Sequence, residues 1–376
     1  MLKKLFSRKT ATSHKPNDIE QVIVDALASY RSDVFEQGVL INCLAYQLSV
    51  TAKKIKLSLT MPFACESELY LLIETLNKSL NIKIDLEVNL EIQAVREHKI
   101  ANIRNIIAIA SGKGGVGKST TTVNLAYALQ AEGARVGILD ADIYGPSIPA
   151  LLGLKKAKPT SKDGKNLTPL EAQGLYAMSI GFLVPENDAT VWRGPMASSA
   201  FNQLLNETAW PKLDYLLVDM PPGTGDIQLT LAQKVPVAAA VVVTTPQDIA
   251  LADAVKGIIM FDKVQVPVLG IIENMSYHLC NNCGHQSPLF GQGGGENIAK
   301  QYNTPLLGQL PLAIDIRQDA DQGKSCLINN HHGELAQFYR KIARKMAAEL
   351  FNQLDNRSAK TPEVIVKESL LNNATP

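Results

Sequence analysis

Residues 112–119 read Gly-Lys-Gly-Gly-Val-Gly-Lys-Ser, a spacing that suits the binding of a nucleoside triphosphate. Small residues allow successive backbone N–H groups to turn inward around phosphate oxygens, while the Lys118 ammonium reaches the β- and γ-phosphates. The Ser119 hydroxyl is then placed to bind Mg²⁺. This phosphate loop predicts contacts to a nucleotide from Gly112, Lys113, Gly114, Gly115, Val116, Gly117, Lys118, Ser119 and Thr120.

A second lysine, Lys113, lies near the start of the phosphate loop. In an ordinary loop of this kind the position faces away from the loop's own nucleotide, so nothing in the same subunit requires a charge there. An outward lysine can reach a nucleotide held by a second subunit and stabilise the charge that develops during phosphoryl transfer. The alternative is a solvated loop lysine. We favour the first interpretation, which predicts a face-to-face homodimer.

Acidic residues follow two apolar segments that are candidates for buried strands. Asp140 and Asp142 flank the end of one segment, and Asp219 ends the other. Carboxylates at the carboxyl edge of a parallel sheet come to lie beside the γ-phosphate. For Asp140 and Asp142, the alternative is an ordinary strand-end turn. The turn at residues 220–225 is predicted to respond to the γ-phosphate, although its two prolines are also typical of a rigid corner.

These carboxylates complete a predicted catalytic site. We predict that Ser119, Asp140 and Asp219 contribute to Mg²⁺ binding, and that Asp142 positions the attacking water. The predicted catalytic residues are Lys113, Lys118 and Asp142.

Cys280 and Cys283 form a C-x2-C pair with His278 and His285 on either side. Two thiolates at this spacing can share one metal, but they make only half of a four-ligand site. Several alternatives remain open: zinc bound with the histidines, an incomplete zinc ribbon, a redox dithiol, or two ordinary loop cysteines. A two-fold dimer brings four thiolates together, which is the number that a [4Fe-4S] cluster takes. We favour this shared cluster.

Strand and helix patterns surround these residues. An apolar run at 106–110 is typical of a buried parallel strand, residues 119–132 have helical apolar spacing, and residues 135–140 form a second strand. The phosphate loop therefore lies at a strand-to-helix corner. Repeated alternation predicts an α/β P-loop NTPase fold, a mostly parallel sheet covered by helices on both faces. Further strands are predicted at 215–219, 237–245, 268–273 and 306–310.

A smaller α+β domain precedes this fold. A helix begins near Asn17 and Asp18, and alternating strands at 54–60 and 82–90 flank a second helix at 67–80. The predicted organisation is a disordered basic tail at 1–16, the small α+β domain at 17–93, a linker at 94–104, the ATPase domain at 105–353 and a loose C-terminal tail at 354–376.

Composition limits the classes of partner and compartment. With 37 Lys and Arg against 36 Asp and Glu, the net charge of +1 argues against nucleic acid as the main partner. Five cysteines are too few, and odd in number, for a disulfide framework. No apolar stretch is long enough for a membrane span. We therefore expect a cytoplasmic protein without stable membrane association. Cys43, Cys65 and Cys326 are interpreted as packing residues.

Five motifs, taken in order, resemble those of the Mrp (ApbC-type) iron-sulfur cluster carrier ATPases. They are the phosphate loop, Asp140-Ala-Asp-Ile-Tyr-Gly-Pro-Ser147, Trp192-Arg-Gly-Pro-Met196, Asp219-Met-Pro-Pro-Gly-Thr-Gly-Asp226 and Cys280-x-x-Cys283. The resemblance spans about residues 96–350. It implies a homodimeric ATPase of the deviant Walker A group, which also contains MinD, ParA and the nitrogenase iron protein. Members bind an iron-sulfur cluster and pass it to apoproteins.

The resemblance also implies roles for particular positions. Lys113 is similar to the signature lysine of the group, Cys280 and Cys283 to the bridging cluster ligands, and Asn274 to an asparagine that contacts adenine. Residues 18–92 resemble the MIP18-type module of cluster assembly, although residues 32–34 read Ser-Asp-Val where that module usually has Asp-Pro.

A rival interpretation is a positioning ATPase of the MinD or ParA type, which attaches reversibly to membrane or DNA. It depends on the predicted helix at 334–352, whose apolar stripe lies beside basic residues. Core packing is the commoner explanation for such a stripe, and the rival leaves Cys280 and Cys283 without a role. The stripe comprises Phe338, Ile342, Met346 and Leu350, and the basic residues are Arg340, Lys341, Arg344 and Lys345.

Overall fold

The computed structural model describes residues 16–51, 54–183, 194–280, 282–353 and 363–364. They fall into two compact units, of which the smaller contains residues 16–92 with 363–364, and the larger contains residues 93–353. The predicted basic tail lies outside the described residues except for Pro16. Trp192 and Arg193 of the third motif also lie outside them, as does the predicted C-terminal tail apart from residues 363–364.

The smaller unit packs two main helices and a short one with a four-stranded sheet, within the described ranges. Side chains along its second strand alternate between buried and more exposed, because one face of the sheet covers the apolar core. The helices are α1 Pro16–Ser29, α2 Val39–Asn42 and α3 Glu66–Leu80. The strands are β1 Ala45–Val50, β2 Ile55–Met61, β3 Ile84–Leu90 and, near the end of the chain, β14 Glu363–Val364.

The larger unit contains the phosphate loop, the acidic residues and the cysteine pair. Its strands are β4 Ile103–Ala110, β5 Val136–Asp140, β6 Leu170–Ala172, β7 Leu175–Ser179, β8 Leu213–Asp219, β9 Ala239–Thr244, β10 Val268–Glu273, β11 His278–Leu279, β12 Gln286–Ser287 and β13 Leu306–Gln309. Its helices are α4 Lys118–Ala131, α5 Ile148–Leu151, α6 Gly194–Asn206, α7 Asp226–Lys234, α8 Asp248–Lys263, α9 Gly294–Gln301, α10 Ile314–Asp321, α11 Cys326–Asn329 and α12 Glu334–Asn352.

Eight of the described strands form the main sheet of the larger unit, in the order β13-β10-β9-β4-β8-β5-β7-β6. The strands pair in parallel, apart from the edge strand β6, which runs antiparallel to β7. Every residue of β5, β8 and β9 is buried. Because successive side chains of a strand point to opposite faces, both faces must be covered. The predicted α/β fold is therefore confirmed.

The segment predicted as a linker is hydrogen-bonded to the larger unit. The buried Asn105 side chain accepts from the backbone N–H of Val95 at 2.9 Å and donates to the carbonyl of Gln93 at 2.8 Å. Arg96 donates to the carbonyl of Val237 at 2.9 Å. Residues 94–104 were predicted as a linker, and two of them, Val95 and Arg96, bond to residues at or near the start of the central strands β4 and β9. The first central strand accordingly begins at Ile103.

Helix α12 is part of the core and packs on α4. Ile342, Met346 and Leu350 are each at most 2% exposed. This burial supports core packing as the explanation of the apolar stripe and removes the feature that favoured the membrane rival. Within the described ranges, no helix combines the length and the apolar character needed to cross a bilayer.

A buried ion pair fixes the end of α4 against α12. Glu132 has no exposed surface, and its Oε1 accepts from Arg340 at 2.8 Å and from Arg344 at 3.0 Å. The helix that carries the phosphate loop is thereby held at both ends, at the loop and at this pair.

We expect Glu132→Ala to lower the free energy of unfolding by about 3–5 kcal/mol, because two guanidinium groups lose their buried carboxylate. Urea unfolding followed by tryptophan fluorescence measures this, since the buried Trp210 belongs to the larger unit. Arg317→Ala, which removes an exposed pair with Asp321, is the control and should cost less than about 1 kcal/mol. Equal losses in the two variants would contradict the expectation.

Candidate functional site

The phosphate loop connects β4 to α4 and has the backbone that phosphate binding requires. Gly115 and Gly117 both have φ of +83°, a conformation that other residues rarely adopt. The Ser111 hydroxyl donates to the carbonyl of Lys113 at 2.9 Å, which fixes the start of the loop. The loop ends at the N-terminus of α4, where unpaired backbone N–H groups favour an anion.

Gly112 is required for a reason that the loop motif does not reveal. A Cβ at this position would lie 2.2 Å from the backbone carbonyl of Asp253 in α8. Helix α8 therefore passes directly against the start of the loop. Sequence reasoning assigned Gly112 to the nucleotide and missed this contact, because no local pattern indicates which later helix will approach.

Lys118 is the centre of a buried ionic cluster. Its side chain is 6% exposed, and its Nζ lies 2.8 Å from Asp219 Oδ1 and 3.8 Å from Asp142 Oδ2. Asp219 also accepts from the Ser119 hydroxyl at 2.5 Å and from the Thr122 hydroxyl at 2.8 Å. Sequence reasoning missed Thr122, although its position one turn after Lys118 is a signal that could have identified it.

The two acidic residues after β5 occupy different environments. Asp140 is fully buried and accepts from the Ser179 hydroxyl at 2.9 Å and the Ile148 N–H at 3.3 Å. Burial, with the nearby charge of Asp219, raises the pKa of Asp140 to about 8. Burial also raises the pKa of Asp142, against the lowering effect of Lys118. Asp142 thus faces the lysine, whereas Asp140 braces the segment that follows β5.

The donor set around Lys118 fits a magnesium ion. Asp142 and Asp219 both pair with the single positive charge of Lys118, so the local charge balance favours a further cation. Among the described residues, no cluster of three or more His, Cys, Asp or Glu side chains could hold a metal alone. Mg²⁺ commonly uses one or two protein ligands with phosphate oxygens and water, and Ser119 and Asp219 supply such a pair. The role of Asp140 as a magnesium ligand stays a prediction.

Lys113 and the turn at 220–225 both adjoin the start of the loop, where Lys113 follows Ser111 by two residues and Gly223 bonds to Ser111. Lys113 is exposed, and its ammonium has no partner among the described residues. Gly223, at φ +101°, donates its N–H to the carbonyl of Ser111 at 2.9 Å. A shift of the turn would therefore reach the loop through one hydrogen bond.

Asn274 contacts the loop itself. Its side-chain amide donates to the carbonyl of Val116 at 2.9 Å, and a Cβ on Gly117 would lie 2.2 Å from the same nitrogen. Asn274 follows β10, whose neighbour in the sheet is β9. Contact with adenine, which the resemblance implies, stays a prediction, while the bond to Val116 was not foreseen.

The cysteine pair lies on a small hairpin formed by β11 and β12, the thiol hairpin, described at residues 278–280 and 282–287. Cys280 donates its N–H to the carbonyl of His285 at 3.0 Å, and Gly284 donates to the carbonyl of Cys280 at 2.8 Å. Cys283 is exposed and Cys280 is partly exposed. The backbone N–H groups of Asn282 and Cys283, and the Cys283 thiol, lower the pKa of Cys280.

The other cysteines are buried thiols. Burial raises the pKa of Cys43 to about 11 and that of Cys326 to about 12, and Cys65 is buried as well. The packing interpretation of these three is consistent with that burial. Of the described cysteines, only Cys280 and Cys283 are therefore open to a ligand. His278 and His285 do not form a metal cluster with them within the described part of the chain.

Comparisons with known proteins agree with this site. The family model of the NUBPL iron-transfer P-loop NTPases matches residues 102–347. The chain is 50% identical to the iron-sulfur cluster carrier protein of Escherichia coli K12 over 347 residues, which covers 90% of this chain and 94% of that protein. It is 45% identical to the iron-sulfur cluster transfer protein NUBPL of Dictyostelium discoideum, covering 71% of this chain and 84% of that protein.

A solved structure is also similar to this chain. It is a nucleotide-binding protein from Archaeoglobus fulgidus in complex with ADP, 39% identical, with a TM-score of 0.55, covering 63% of this chain and 93% of that chain. The family model covers the whole site described above, from the phosphate loop to the thiol hairpin. The chain therefore belongs to the NUBPL-type family of iron-transfer P-loop NTPases.

Proposed function

We propose that this chain is an ATP-hydrolysing carrier of iron-sulfur clusters, which holds a [4Fe-4S] cluster between two copies of itself and transfers it to apoproteins. One observation carries the proposal: a single unit presents both a phosphate loop with a buried Lys118–Asp219 pair and an accessible cysteine pair with a lowered thiol pKa. The names of its relatives agree with this combination.

The nucleotide site would bind Mg-ATP at the phosphate loop. Ser119 and Asp219 would hold Mg²⁺, which neutralises charge on the phosphates when bound. Asp142, 3.8 Å from Lys118, is the carboxylate best placed to orient water near the γ-phosphate. Lys113 is exposed and would serve the nucleotide of the second subunit.

The cargo site would be completed by pairing. Each chain offers two thiols on the thiol hairpin, and the described residues supply no third metal ligand beside them. A two-fold axis through a pair of hairpins would supply the four thiolates that a [4Fe-4S] cluster takes. The lowered pKa of Cys280 favours the thiolate form that binds iron.

The partners follow from this chemistry. They are a second copy of the chain and apoproteins that accept the cluster, and nucleic acid is not a proposed partner. A reducing compartment, the cytoplasm, suits a protein that keeps two exposed thiols. Stable attachment to a membrane is not part of the proposal, since Ile342, Met346 and Leu350 of the α12 stripe are buried.

We expect Gly112→Ala to weaken ATP binding by more than about tenfold, equivalent to 1.4 kcal/mol. The added methyl group would meet the Asp253 backbone at 2.2 Å, so the loop or α8 must move. Isothermal titration with an ATP analogue measures the affinity. Gly257→Ala in α8 is the matched control, because nothing lies within 4 Å of its Cβ. Wild-type affinity in Gly112→Ala would contradict the described approach of α8.

We expect Lys113→Ala to reduce ATP hydrolysis by about a thousandfold, the scale for a cation supplied by a second subunit. Phosphate release measures the rate, and Lys256→Ala, which removes an exposed lysine of α8, is the control. Lys118→Ala should be inactive as well. Mixing the Lys113→Ala and Lys118→Ala chains should recover part of the hydrolysis, because each supplies what the other lacks. A mixture without any recovery would exclude action between subunits.

We expect anaerobic reconstitution to load about four irons per wild-type dimer and to fail in Cys283→Ser. Absorbance and iron counting measure the cluster. Cys43→Ser is the matched control, because its thiol donates to the carbonyl of Ala45 at 2.8 Å and a hydroxyl can make the same bond. Wild-type iron content in Cys283→Ser would refute the cluster assignment.

A further inference from the structure

Asn274 determines how one peptide of the phosphate loop is oriented. Its amide donates to the carbonyl of Val116 at 2.9 Å, and both residues are buried, where a backbone carbonyl needs such a partner. The described peptide bonds are trans, so the N–H of Gly117 points opposite to the carbonyl of Val116. Asn274 therefore directs the Gly117 N–H away from itself. A phosphate that draws this N–H also changes the strength of the Asn274 bond.

A buried carboxylate, that of Glu273, fixes the corner formed by residues 273–276, in which Asn274 lies. Glu273 is 1% exposed and accepts from the N–H of Gly295 at 2.6 Å, the Ser276 hydroxyl at 2.8 Å and the Gln309 amide at 2.9 Å. Between Glu273 and Ser276, Met275 has φ of +56°, which few residues other than glycine adopt. The corner is thus fixed to α9 and β13 and cannot rearrange freely.

The corner leads directly into the thiol hairpin. Ser276 donates its N–H to the carbonyl of Leu310 at 2.9 Å, and Leu312 donates to the carbonyl of Tyr277 at 2.7 Å. Residue 278 begins β11, and Cys280 follows it. Between Asn274 and Cys280, the backbone is therefore hydrogen-bonded at Ser276, Tyr277 and Cys280, which restricts its movement.

We infer that Asn274 and Glu273 are positioning residues that link the phosphate loop to the thiol hairpin within one chain, so that nucleotide binding alters the reactivity of Cys280 and Cys283. The link rests on the proposed function for its purpose, which is to make the hold on the cluster depend on the nucleotide. Its geometry does not require a second subunit.

The test uses the full-length apoprotein, with and without a saturating non-hydrolysable ATP analogue and Mg²⁺. Iodoacetamide alkylation of Cys280 and Cys283 is timed by peptide mass spectrometry. In the wild type, the nucleotide should change the rate by about fivefold or more, the size of ordinary coupling between sites. In Asn274→Asp, an oxygen replaces the donor to Val116, and the nucleotide effect should disappear while both thiols still react.

A matched control and a second variant make the result decisive. Asn105→Asp removes another buried amide donor, the one to Gln93, and should keep the wild-type response. Glu273→Gln replaces one of the accepting oxygens of the corner with a donor, and the nucleotide should no longer change the alkylation rate in this variant. If Asn274→Asp does not bind the analogue, the result for Glu273→Gln tests the link instead. Full response in Glu273→Gln, or none in the wild type, overturns the link.

The outcome is separable from the proposed function. Thiols that respond to the nucleotide in a protein that takes up no iron support the link and refute the carrier function. A protein that loads iron but shows no nucleotide effect on its thiols refutes the link and leaves the carrier function standing.

Discussion

The structure of the nucleotide site depends on one buried carboxylate, that of Asp219. In the sheet, Asp219 is in register with Ile109 of β4 on one side and with Asp140 of β5 on the other. It receives hydrogen bonds or charge from Lys118, Ser119 and Thr122, all within the first five residues of α4. A buried carboxylate without such partners would be costly, so α4 must begin where it does.

The same pairing explains the neighbouring acid. Strand pairing places Asp140 beside Asp219, and two buried carboxyl groups cannot both remain charged at little cost. Asp140 therefore has a raised pKa and is bonded to Ser179 and Ile148. Asp142, two residues later, is free of the strand and faces Lys118. Sheet register, rather than the acidic residues themselves, thus assigns different environments to the two carboxyl groups.

Most strands and helices of the larger unit could be predicted, because each is indicated by residues that are close together in the sequence. The phosphate loop, the buried strands and the long amphipathic helix each depend on residues close together in the sequence. Strand β10 and helix α12 have the predicted boundaries. Strands β1 and β7 were not predicted. β1 lies near the edge of its sheet with only a partly buried face, and β7 follows an irregular segment without periodicity.

The contacts between residues that are distant in the sequence could not be predicted from local patterns. Gly112 meets Asp253, and Asn274 meets Val116, across more than a hundred positions. Glu273 looks like an ordinary strand-end acid until Gly295 and Gln309 are placed around it. Sequence patterns give the type of each residue, whereas the partner depends on how helices and strands pack together in three dimensions.

Two ligands per chain have a thermodynamic consequence for a cluster carrier. In the proposed carrier, a cluster bound by two thiols from each of two copies would favour the paired state, and a nucleotide contacted by a lysine from the second copy would favour it too. Ligands that stabilise the same state must strengthen each other's binding by an equal factor. Loss of the γ-phosphate would then weaken pairing and so weaken the hold on the cluster. A cluster bound by four thiols of a single chain would not be coupled to the nucleotide through pairing.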